Sequence, residues 1–384
     1  MKKSLVLRLL ALFMIAAIVA GCAPAAPETV IQTVVVTEIV EQPGATQVVE
    51  KIITATPAPE EPAEPEEPAD TGPIPLQFRL NWTLYGEHAP FFLGVDKGFY
   101  LEEGLDVEIL EGSGSSTVVK LIGNGTNVIG YADSATMMRG VTAGVPVKAA
   151  AVIFQSSPMS FIYRADAARP TTIEELPGST VAITAGDASL SIFEACLGKN
   201  DMTMEDVNLI QVSNPAAKET AVLEGQADTF LGYFVDQPLR MEKVTGVDMG
   251  WSKLVDLCDV NTLSSAIIVN NFWAEQNPDI VEKFVRASQR AWAYTEEHPE
   301  EAAEIFAQHA EAFDAPLALE EIQGSLTLLH TPNSEGMPIG WSSPDDWTAT
   351  QQVLEQYAAF RPEPDISIYF TNDFISEPPY LPPQ

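Results

Sequence analysis

A short loop in the first half of the chain carries aromatic and polar side chains suited to ligand binding. It reads Asn81-Trp82-Thr83-Leu84-Tyr85-Gly86-Glu87-His88. Aromatic rings present flat faces to a planar molecule, while amide, carboxylate and imidazole groups exchange hydrogen bonds with its edge. We therefore predict a site for a planar, nitrogen-rich ligand contacted by Asn81, Trp82, Tyr85, Glu87 and His88. The alternative is that the two rings only pack at a rim and that His88 caps the next helix.

Further polar and aromatic residues follow later predicted strands. In open α/β sheets, ligands bind beyond the carboxyl ends of the strands, where loops and helix N-termini meet. Each of these positions taken alone also fits an ordinary strand-to-helix turn. The residues predicted to contact ligand at this rim are Ser113, Ser115, Tyr131, Asp133, Phe154, Gln155 and Ser156, then Thr184, Asp187, Tyr233, Asp236 and Gln237.

The predicted elements that position these residues alternate between short apolar runs and amphipathic helices. One such series runs from Leu76 to Phe154, and a second runs from Thr172 to Tyr233. This alternation is typical of an α/β fold with mainly parallel sheets, and two series predict two lobes. One more strand is predicted over Ser264–Asn270, and helices fill most of the chain from Asn277 to Phe360.

The N-terminus has the pattern of an export signal. Lys2, Lys3 and Arg8 flank an apolar run from Leu9 to Ala20, which ends at Val19-Ala20-Gly21-Cys22. Twelve apolar residues span only about 18 Å as a helix, short of a bilayer core, so the run is predicted to be a cleaved signal over residues 1–21. The pattern resembles bacterial lipoprotein signals, which implies diacylation of Cys22 and a membrane-anchored, extracytoplasmic protein. The alternative is an ordinary signal peptide with a chance cysteine.

Residues 22–75 have the composition of a spacer. They hold many prolines and the acidic run from Pro57 to Pro62, and residues 23–73 contain no aromatic side chain. Such a segment cannot bury a core and is predicted to be an extended stalk. Two segments rich in Val, Ile and Thr, 33–40 and 47–56, could instead pair as strands.

The chain is strongly acidic but has enough apolar residues to fold. It has 384 residues, 20 Lys and Arg against 54 Asp and Glu, a net charge of −34 and 46% hydrophobic residues. This balance disfavours nucleic-acid binding, because no general positive field attracts phosphates. With three cysteines, neither a disulfide framework nor a thiolate zinc site is predicted, and no metal or other cofactor is expected. Cys196 and Cys258 are either a disulfide pair or two buried thiols.

Three stretches resemble one family of binding proteins. They are Gly94–Glu108 (GVDKGFYLEEGLDVE), Ile173–Ala182 (IEELPGSTVA), and Ala266–Asn270 followed by Asn277-Pro278-Asp279. In this order they resemble the solute-binding proteins of ABC importers for thiamine pyrimidine precursors, riboflavin, sulfonates and nitrate. Members that bind pyrimidine precursors carry a segment similar to Asn81–His88.

The resemblance implies a bilobal periplasmic-binding-protein fold of type II, with two α/β lobes joined by two crossover strands. The first lobe is expected over residues 76–160 and 265–384, the second over 161–264, and the ligand in the cleft between them. The implied partners are a small-molecule ligand, an ABC-transporter permease and a membrane reached through the lipid anchor. The protein is expected to be a monomer.

The predicted function is capture of an aromatic N-heterocyclic vitamin or precursor. Riboflavin is favoured because few cations lie among the predicted cleft residues, which suits a neutral ligand and disfavours sulfonate or nitrate. A thiamine pyrimidine precursor is the alternative, followed by a sulfonate or nitrate. Two other classes are a structural surface lipoprotein and an enzyme resembling the fungal pyrimidine synthase. We expect no enzyme, because that synthase family depends on a Cys-rich motif that this chain lacks.

Overall fold

The chain divides into two compact units, residues 1–70 and 71–384. The structure, a computed structural model, describes residues 34–42, 45–53, 72–167, 169–184, 186–212 and 214–382. The predicted signal peptide, Cys22 and the acidic part of the predicted stalk lie outside these residues. None of the helices in the described part of the chain has the length and hydropathy that a membrane span requires.

The first unit contains a β-hairpin where a spacer was predicted. Strand β1 (Val34–Gln42) pairs antiparallel with β2 (Ala45–Ile53), so that Val34 lies opposite Ile53. Residues branched at Cβ, which fill much of both strands, favour the extended backbone over a disordered coil. Of the two alternatives for these segments, the structure shows strand pairing.

The second unit is built on two mixed five-stranded sheets. The first sheet has the order β4-β3-β5-β12-β6 and the second has the order β11-β7-β10-β8-β9. The strands described in this unit are β3 (Ile74–Arg79), β4 (Leu105–Leu110), β5 (Ile129–Asp133), β6 (Val147–Val152), β7 (Met159–Arg164), β8 (Thr180–Thr184), β9 (Asn208–Val212), β10 (Thr229–Tyr233), β11 (Met249–Lys253) and β12 (Ser265–Asn270).

Each sheet contains one strand through which the chain crosses between the sheets. In the first sheet, β3 runs parallel to β4 and β5, whereas β12 is antiparallel to both β5 and β6. In the second, β8 runs parallel to β9 and β10, whereas β7 is antiparallel to β10 and β11. The chain thus crosses from β6 to β7 and returns from β11 to β12. We call the first sheet with its helices the first lobe, and the second sheet with its helices the second lobe. The predicted α/β bilobal fold with two crossovers is confirmed.

Helices cover the sheets of the second unit. In chain order, those described are α1 (Ala89–Asp96), α2 (Phe99–Glu102), α3 (Ser115–Gly123), α4 (Ser134–Thr142), α5 (Ser189–Lys199), α6 (Pro215–Leu223), α7 (Gln237–Thr245), α8 (Leu254–Cys258), α9 (Asn271–Gln276), α10 (Pro278–Glu297), α11 (Pro299–His309), α12 (Ala315–Leu326) and α13 (Pro344–Tyr357).

Side-chain chemistry fixes where many of these helices begin and which face they bury. The carboxylate of Asp133 accepts from the backbone N–H of Thr136 and so begins α4, as Asn270 does for α9. Helix α10 buries Phe284 and Trp292, which lie on one face because they are eight residues apart. Phe284 then packs against Phe78 of β3, with ring centroids 4.9 Å apart.

The sequence-based elements differ from the structure in a few places. The second predicted series, which starts at Thr172, opens with a single 3-10 turn, and the last strand of the first series, predicted to run to Phe154, ends at Val152. Helices α7, α8 and α9 and strand β11 were not predicted. Cys196 on α5 is bonded to Cys258 at the end of α8, with Cα atoms 5.2 Å apart, which decides between the two alternatives for these residues.

Candidate functional site

The carboxyl ends of strands from both lobes meet around one small cavity. Strands β3, β8 and β10 each end in a loop that contributes to its wall. The space in which the centre of a water molecule fits has a volume of about 30 Å³, so the cavity has room for about two waters. Its lining residues are Asn81, Trp82, Glu87, Ser115, Met159, Asp187, Ala188, Lys218, Gly232, Tyr233, Asp236 and Gln237.

The two lobes are in direct contact on either side of this cavity. The hydroxyl of Tyr85 donates to Oε1 of Glu219 on α6 at 3.1 Å. On another side, the backbone N–H of Ser116 donates to the carbonyl of Gly186 at 3.3 Å. Gly114 has a φ of +125°, and a Cβ there would lie 2.6 Å from the same carbonyl oxygen, so this approach requires glycine. The conformation is therefore closed over the cavity.

A chain of hydrogen bonds orients the loop that follows β3. The backbone N–H of Tyr85 donates to Nδ1 of His88 at 3.2 Å. Nε2 of His88 lies 2.7 Å from Oδ1 of Asn81, and Nδ2 of Asn81 donates to Oε1 of Glu87 at 3.3 Å. Burial lowers the pKa of His88 to about 3, against a small opposing effect of the hydrogen bond from Tyr85. His88 is thus a neutral group that supports the cavity wall.

Several buried carboxyl groups face or adjoin the cavity. Burial raises the pKa of Glu87 to about 8, with a smaller opposing effect of the hydrogen bond from Asn81. Burial, followed by the charge of Glu87, raises the pKa of Asp236 well above its ordinary value. Burial also raises the pKa of Asp133 to about 6 and that of Glu321 well above the usual range. Glu87, Asp236 and Glu321 therefore favour their neutral form, whereas Asp133 is a carboxylate above about pH 6.

One lysine lines the cavity, and its charge is compensated. Nζ of Lys218 donates to Oδ2 of Asp187 at 2.8 Å and to the carbonyl of Leu231 at 2.7 Å. The same nitrogen lies 5.0 Å from the centre of the Trp82 ring, within the range of a cation–π contact. The side chains of Lys218 and Asp187 are 1% and 8% exposed. This ammonium is already bound to protein groups on several sides.

A second ion pair lies beside the cavity. Arg240 on α7 binds Glu219 and its guanidinium lies 5.4 Å from the centre of the Tyr85 ring. Oε2 of Glu321 accepts the backbone N–H of Gly86 at 2.6 Å. Tyr85 and Arg240 also line a larger groove of about 660 Å³. The contacts of Glu219, Arg240 and Glu321 connect the Asn81–His88 loop to helices α6, α7 and α12.

Three polar atoms of cavity-lining residues have no hydrogen-bond partner within the described part of the chain. They are Nε1 of Trp82, Oε2 of Glu87 and Oε1 of Gln237. All three side chains are at least nine-tenths buried. Since an unpaired buried polar group is costly, such atoms indicate a missing partner such as a ligand or water. The cavity is therefore chemically suited to a small molecule with both hydrogen-bond donors and acceptors.

The structure brings eight of the predicted ligand-binding residues to the cavity wall. These are Asn81, Trp82, Glu87, Ser115, Asp187, Tyr233, Asp236 and Gln237. Tyr85 and His88 support the wall from behind through the hydrogen bonds given above. Contact of any of these residues with a ligand stays a prediction.

The other predicted residues lie away from the cavity for identifiable reasons. Tyr131 and Phe154 pack in the first-lobe core, where Phe154 meets Trp292 edge-on at 6.0 Å between ring centroids. Nε2 of Gln155 donates to the carbonyl of Trp341 at 2.6 Å. Asp133 is used as the cap of α4, and Ser113 is exposed. The remaining two, Ser156 and Thr184, do not line the cavity.

Sequence reasoning missed four lining residues, Met159, Ala188, Lys218 and Gly232. Lys218 lies inside α6, and nothing in the composition of that helix distinguishes it from a surface lysine. Lys218 is the one Lys or Arg among the described lining residues, and Arg240 lies beside the cavity. The contacts that bury them join residues far apart in the chain.

Two α/β lobes with one crossing strand each and a cavity between them define the periplasmic-binding-protein fold. Solved structures with this fold are similar to the chain. A protein of Bordetella bronchiseptica RB50 superposes with a TM-score of 0.65 at 17% identity, covering 78% of this chain and 95% of its own. The alkanesulfonate-binding protein SsuA of Xanthomonas axonopodis pv. citri, bound to MOPS, gives 0.60 at 13% identity, covering 75% and 93%.

Residues 86–302 match the family described as NMT1/THI5 like, and the chain belongs to that family. It is 23% identical to a riboflavin-binding protein, RibY, of Chloroflexus aurantiacus over 75% of this chain and 82% of the relative. It is 21% identical to a formylaminopyrimidine-binding protein of Halalkalibacterium halodurans over 73% and 85%. The predicted resemblance to this group of binding proteins is confirmed.

The expectation that the chain is not an enzyme is contradicted. A relative from Candida albicans, 27% identical over 59% of this chain and 69% of its own length, is named 4-amino-5-hydroxymethyl-2-methylpyrimidine phosphate synthase. Relatives of the chain therefore include named enzymes as well as binding proteins. The missing Cys-rich motif was too narrow a ground for excluding catalysis.

Proposed function

We propose that this protein captures a small, neutral, aromatic N-heterocycle between its two lobes for uptake by an ABC importer. The observation that carries the proposal is the interlobe cavity walled by the Trp82 ring, in which Trp82, Glu87 and Gln237 each present an unpartnered polar atom. A planar ring would lie against the indole, and its edge would exchange hydrogen bonds with these atoms.

The charges of the cavity favour a neutral ligand over an anion. Lys218 is the cation among the described lining residues, and it is already bound to Asp187. A sulfonate or nitrate would find no free guanidinium or ammonium among the described lining residues to compensate its charge. The structural similarity to a sulfonate-binding protein supports the fold and does not extend to the ligand.

Riboflavin is the ligand we place first. A relative named for riboflavin binding aligns with 75% of this chain, and the heterocycle of riboflavin carries both donors and acceptors on its edge. The closed cavity has room for about two waters, so the lobes must separate to admit an isoalloxazine ring. Hinge motion at β7 and β12, where the chain crosses between lobes, would supply this opening.

A formylaminopyrimidine-type precursor is the second candidate. A single six-membered ring needs a smaller separation of the lobes than a three-ring system. A relative named for binding such a compound covers 73% of this chain. Carboxyl groups like those of Glu87 and Asp236 can pair with the donor and acceptor edge of an aminopyrimidine.

Delivery to a permease and anchoring through a diacylated Cys22 belong to the same proposal. The periplasmic-binding-protein fold and the lipoprotein-like sequence that ends at Cys22 support it. Under this proposal the protein lies outside the cytoplasmic membrane, where it would bind ligand as a tethered monomer. Mass spectrometry of the membrane-extracted protein tests the anchor: a diacylglyceryl adduct on an N-terminal Cys22 is expected, and an unmodified cysteine would contradict it.

A ligand panel tests the binding proposal. Thermal unfolding is followed in the presence of riboflavin, formylaminopyrimidine, hydroxymethylpyrimidine, taurine and nitrate. A ligand at about 100 times its Kd stabilises the folded state by about 2.7 kcal/mol, which raises the melting temperature measurably. We expect riboflavin, or failing that a pyrimidine, to give this shift. A shift with taurine or nitrate alone, or with no compound, would contradict the proposal.

A further inference from the structure

The proton on the imidazole of His88 can be placed from its hydrogen bonds. Nδ1 accepts the backbone N–H of Tyr85, so it carries no proton. The ring is fully buried and neutral, and its single proton therefore lies on Nε2. That proton is donated to Oδ1 of Asn81, 2.7 Å away. The imidazole supplies no positive charge to the cavity.

The same bonds fix the orientation of Glu87. Because Oδ1 of Asn81 accepts from His88, its amide nitrogen faces Glu87 and donates to Oε1. His88 also lies 3.3 Å from this oxygen, but a neutral ring forms no ion pair with it. The other oxygen, Oε2, lacks a partner within the described part of the chain, and the residue lines the cavity.

Charged and titratable groups around Glu87 favour its neutral form. Asp236 and Glu321 would each repel a charge on Glu87 if they were ionised, and the phenols of Tyr131 and Tyr233 lie close enough to sense its charge. The cation across the cavity, Lys218, is bound to Asp187. Glu87 is 1% exposed and forms no ion pair with a Lys or Arg of the described residues. A buried carboxylate in such surroundings is unfavourable, so the carboxyl group keeps a proton.

The proton then has one favourable position. Oε1 accepts the hydrogen bond from Asn81, so the hydroxyl lies on Oε2 and points to the unoccupied side of the group. Building on the proposed function, we propose that Glu87 is the specificity-determining residue of the cavity and donates a hydrogen bond from Oε2 to an acceptor atom of the heterocycle. The matching ligand is a neutral ring with a ring nitrogen or carbonyl oxygen at this edge. Asn81 and His88 are positioning residues that hold the donor in place.

This assignment predicts a particular dependence of affinity on pH. Glu87 holds its proton below a pKa of about 8, so affinity is constant there. Above that value the carboxylate can no longer donate, and affinity falls by up to about tenfold per pH unit. A Glu87→Gln variant replaces the hydroxyl by an amide N–H₂ of similar shape that does not titrate. Its affinity for the ligand at low pH should be within about tenfold of that of the wild type, and this affinity should not depend on pH.

The test measures the dissociation constants of riboflavin and formylaminopyrimidine by calorimetry from about pH 6 to about pH 9.5. The ratio of the constants for wild type and Glu87→Gln cancels any titration of the ligand itself. We expect this ratio to rise above about pH 8. The control is Glu320→Gln, which changes an exposed carboxyl group of α12 that does not line the cavity and should keep the wild-type dependence. A constant ratio, or a dependence lost in Glu320→Gln as well, would overturn the assignment to Glu87 while leaving the binding function intact.

Infrared difference spectra supply a readout that needs no ligand. As the pH rises from about 6 to about 9.5, the unliganded wild type should lose the C=O band of a protonated carboxyl group. Glu87→Gln should lack that band. If both proteins show the same spectra, Glu87 is not a neutral carboxylic acid and the inference is wrong. If this band is present but no heterocycle binds at any pH, the protonation state stands, and the proposed function falls together with the role of Glu87 as a ligand donor.

Discussion

The hydroxyl of Tyr85 in the first lobe donates to the carboxylate of Glu219 in the second lobe, 3.1 Å away and shielded from solvent. Glu219 also binds Arg240, so its charge is compensated and its orientation fixed. A hydrogen bond to a buried charged group contributes about 1.5–3 kcal/mol. This bond therefore stabilises the closed arrangement of the lobes around the cavity.

Removing this hydroxyl should favour the open state. In Tyr85→Phe the ring is kept and the interlobe hydrogen bond is lost, so ligand affinity should fall by about tenfold or more. Small-angle scattering of the unliganded variant should also show a larger radius of gyration. The control is Tyr163→Phe, which removes a hydrogen bond to Ser252 within the second lobe. Equal effects of the two variants on affinity would contradict the interlobe role.

Trp82 should contribute to binding through its indole N–H. Trp82→Phe keeps an aromatic wall but deletes Nε1–H, which has no partner within the described part of the chain. Affinity should fall by about tenfold to a hundredfold with little change in stability. Calorimetric titration with the ligand identified by thermal shift measures this.

Trp292 provides a matched control for that substitution. Its Nε1 also lacks a described partner, but the ring is buried between Phe91 and Phe154 in the first-lobe core. Trp292→Phe should lower the free energy of unfolding by about 1–3 kcal/mol and leave affinity unchanged. If affinity falls equally in both variants, the indole of Trp82 is not a ligand contact.

The buried ion pair between Lys218 and Asp187 should be needed for folding of the second lobe. Lys218→Met leaves the Asp187 carboxylate buried without its cation, which typically costs about 3–5 kcal/mol. Adding Asp187→Asn should restore much of the lost stability, because no uncompensated charge then remains. Urea unfolding measures the free energy of unfolding of both variants.

An exposed pair serves as the comparison. Lys199 binds Asp259, whose side chain is 95% exposed. Lys199→Met should have little effect on stability, since solvent screens such a pair. A Lys218→Met variant as stable as Lys199→Met would show that the cavity lysine is not a structural counter-ion, and would leave it free to bind an anion.

Two residues of the loop have opposite effects on the pH dependence of stability. His88 is neutral in the folded protein, so the unfolded chain binds the extra proton and stability falls as pH decreases from about 6.5 towards 3. Glu87 keeps its proton up to about pH 8, whereas the unfolded chain releases it above about 4.5, so stability falls as pH rises through this range. Their slopes oppose each other between about 4.5 and 6.5.

Between about pH 6.5 and 8, Glu87 therefore still makes stability depend on pH, whereas His88 no longer does. In this window the stability of Glu87→Gln should fall less steeply with rising pH than that of the wild type. The two slopes should differ by at most about 1.4 kcal/mol per pH unit. Urea unfolding at a series of pH values measures the slopes, with the exposed Glu111→Gln as control. Parallel slopes in wild type and Glu87→Gln would contradict the assignment.

The sequence predicted the two-lobed fold and a large part of the cavity wall. Alternating apolar runs and amphipathic stretches identify strands and helices locally, and the residues after β3, β8 and β10 follow from the geometry of parallel sheets. Helix α7 was missed because its sequence, QPLRMEKVT, has a proline near its start and few apolar residues. Asp236 was predicted as a ligand contact, and it also caps this helix.

The closed arrangement of the lobes and the protonation of the site could not be predicted from the sequence. Tyr85 and Glu219 are 134 residues apart, and only the contact between lobes joins them. Lys218 becomes a cavity residue because α6 turns it under the Trp82 ring. The neutrality of Glu87 and His88 results from complete burial, which depends on every element packed around them.

A crystal structure of the protein grown with riboflavin would show whether the ligand lies in the interlobe cavity. We predict density for the isoalloxazine ring between the lobes, with the Trp82 indole against its face. Oε2 of Glu87 and Oε1 of Gln237 should lie within hydrogen-bond distance of its edge. Density for the ring outside the interlobe cavity, or a saturated complex in which Trp82 and Glu87 touch no ligand atom, would contradict it.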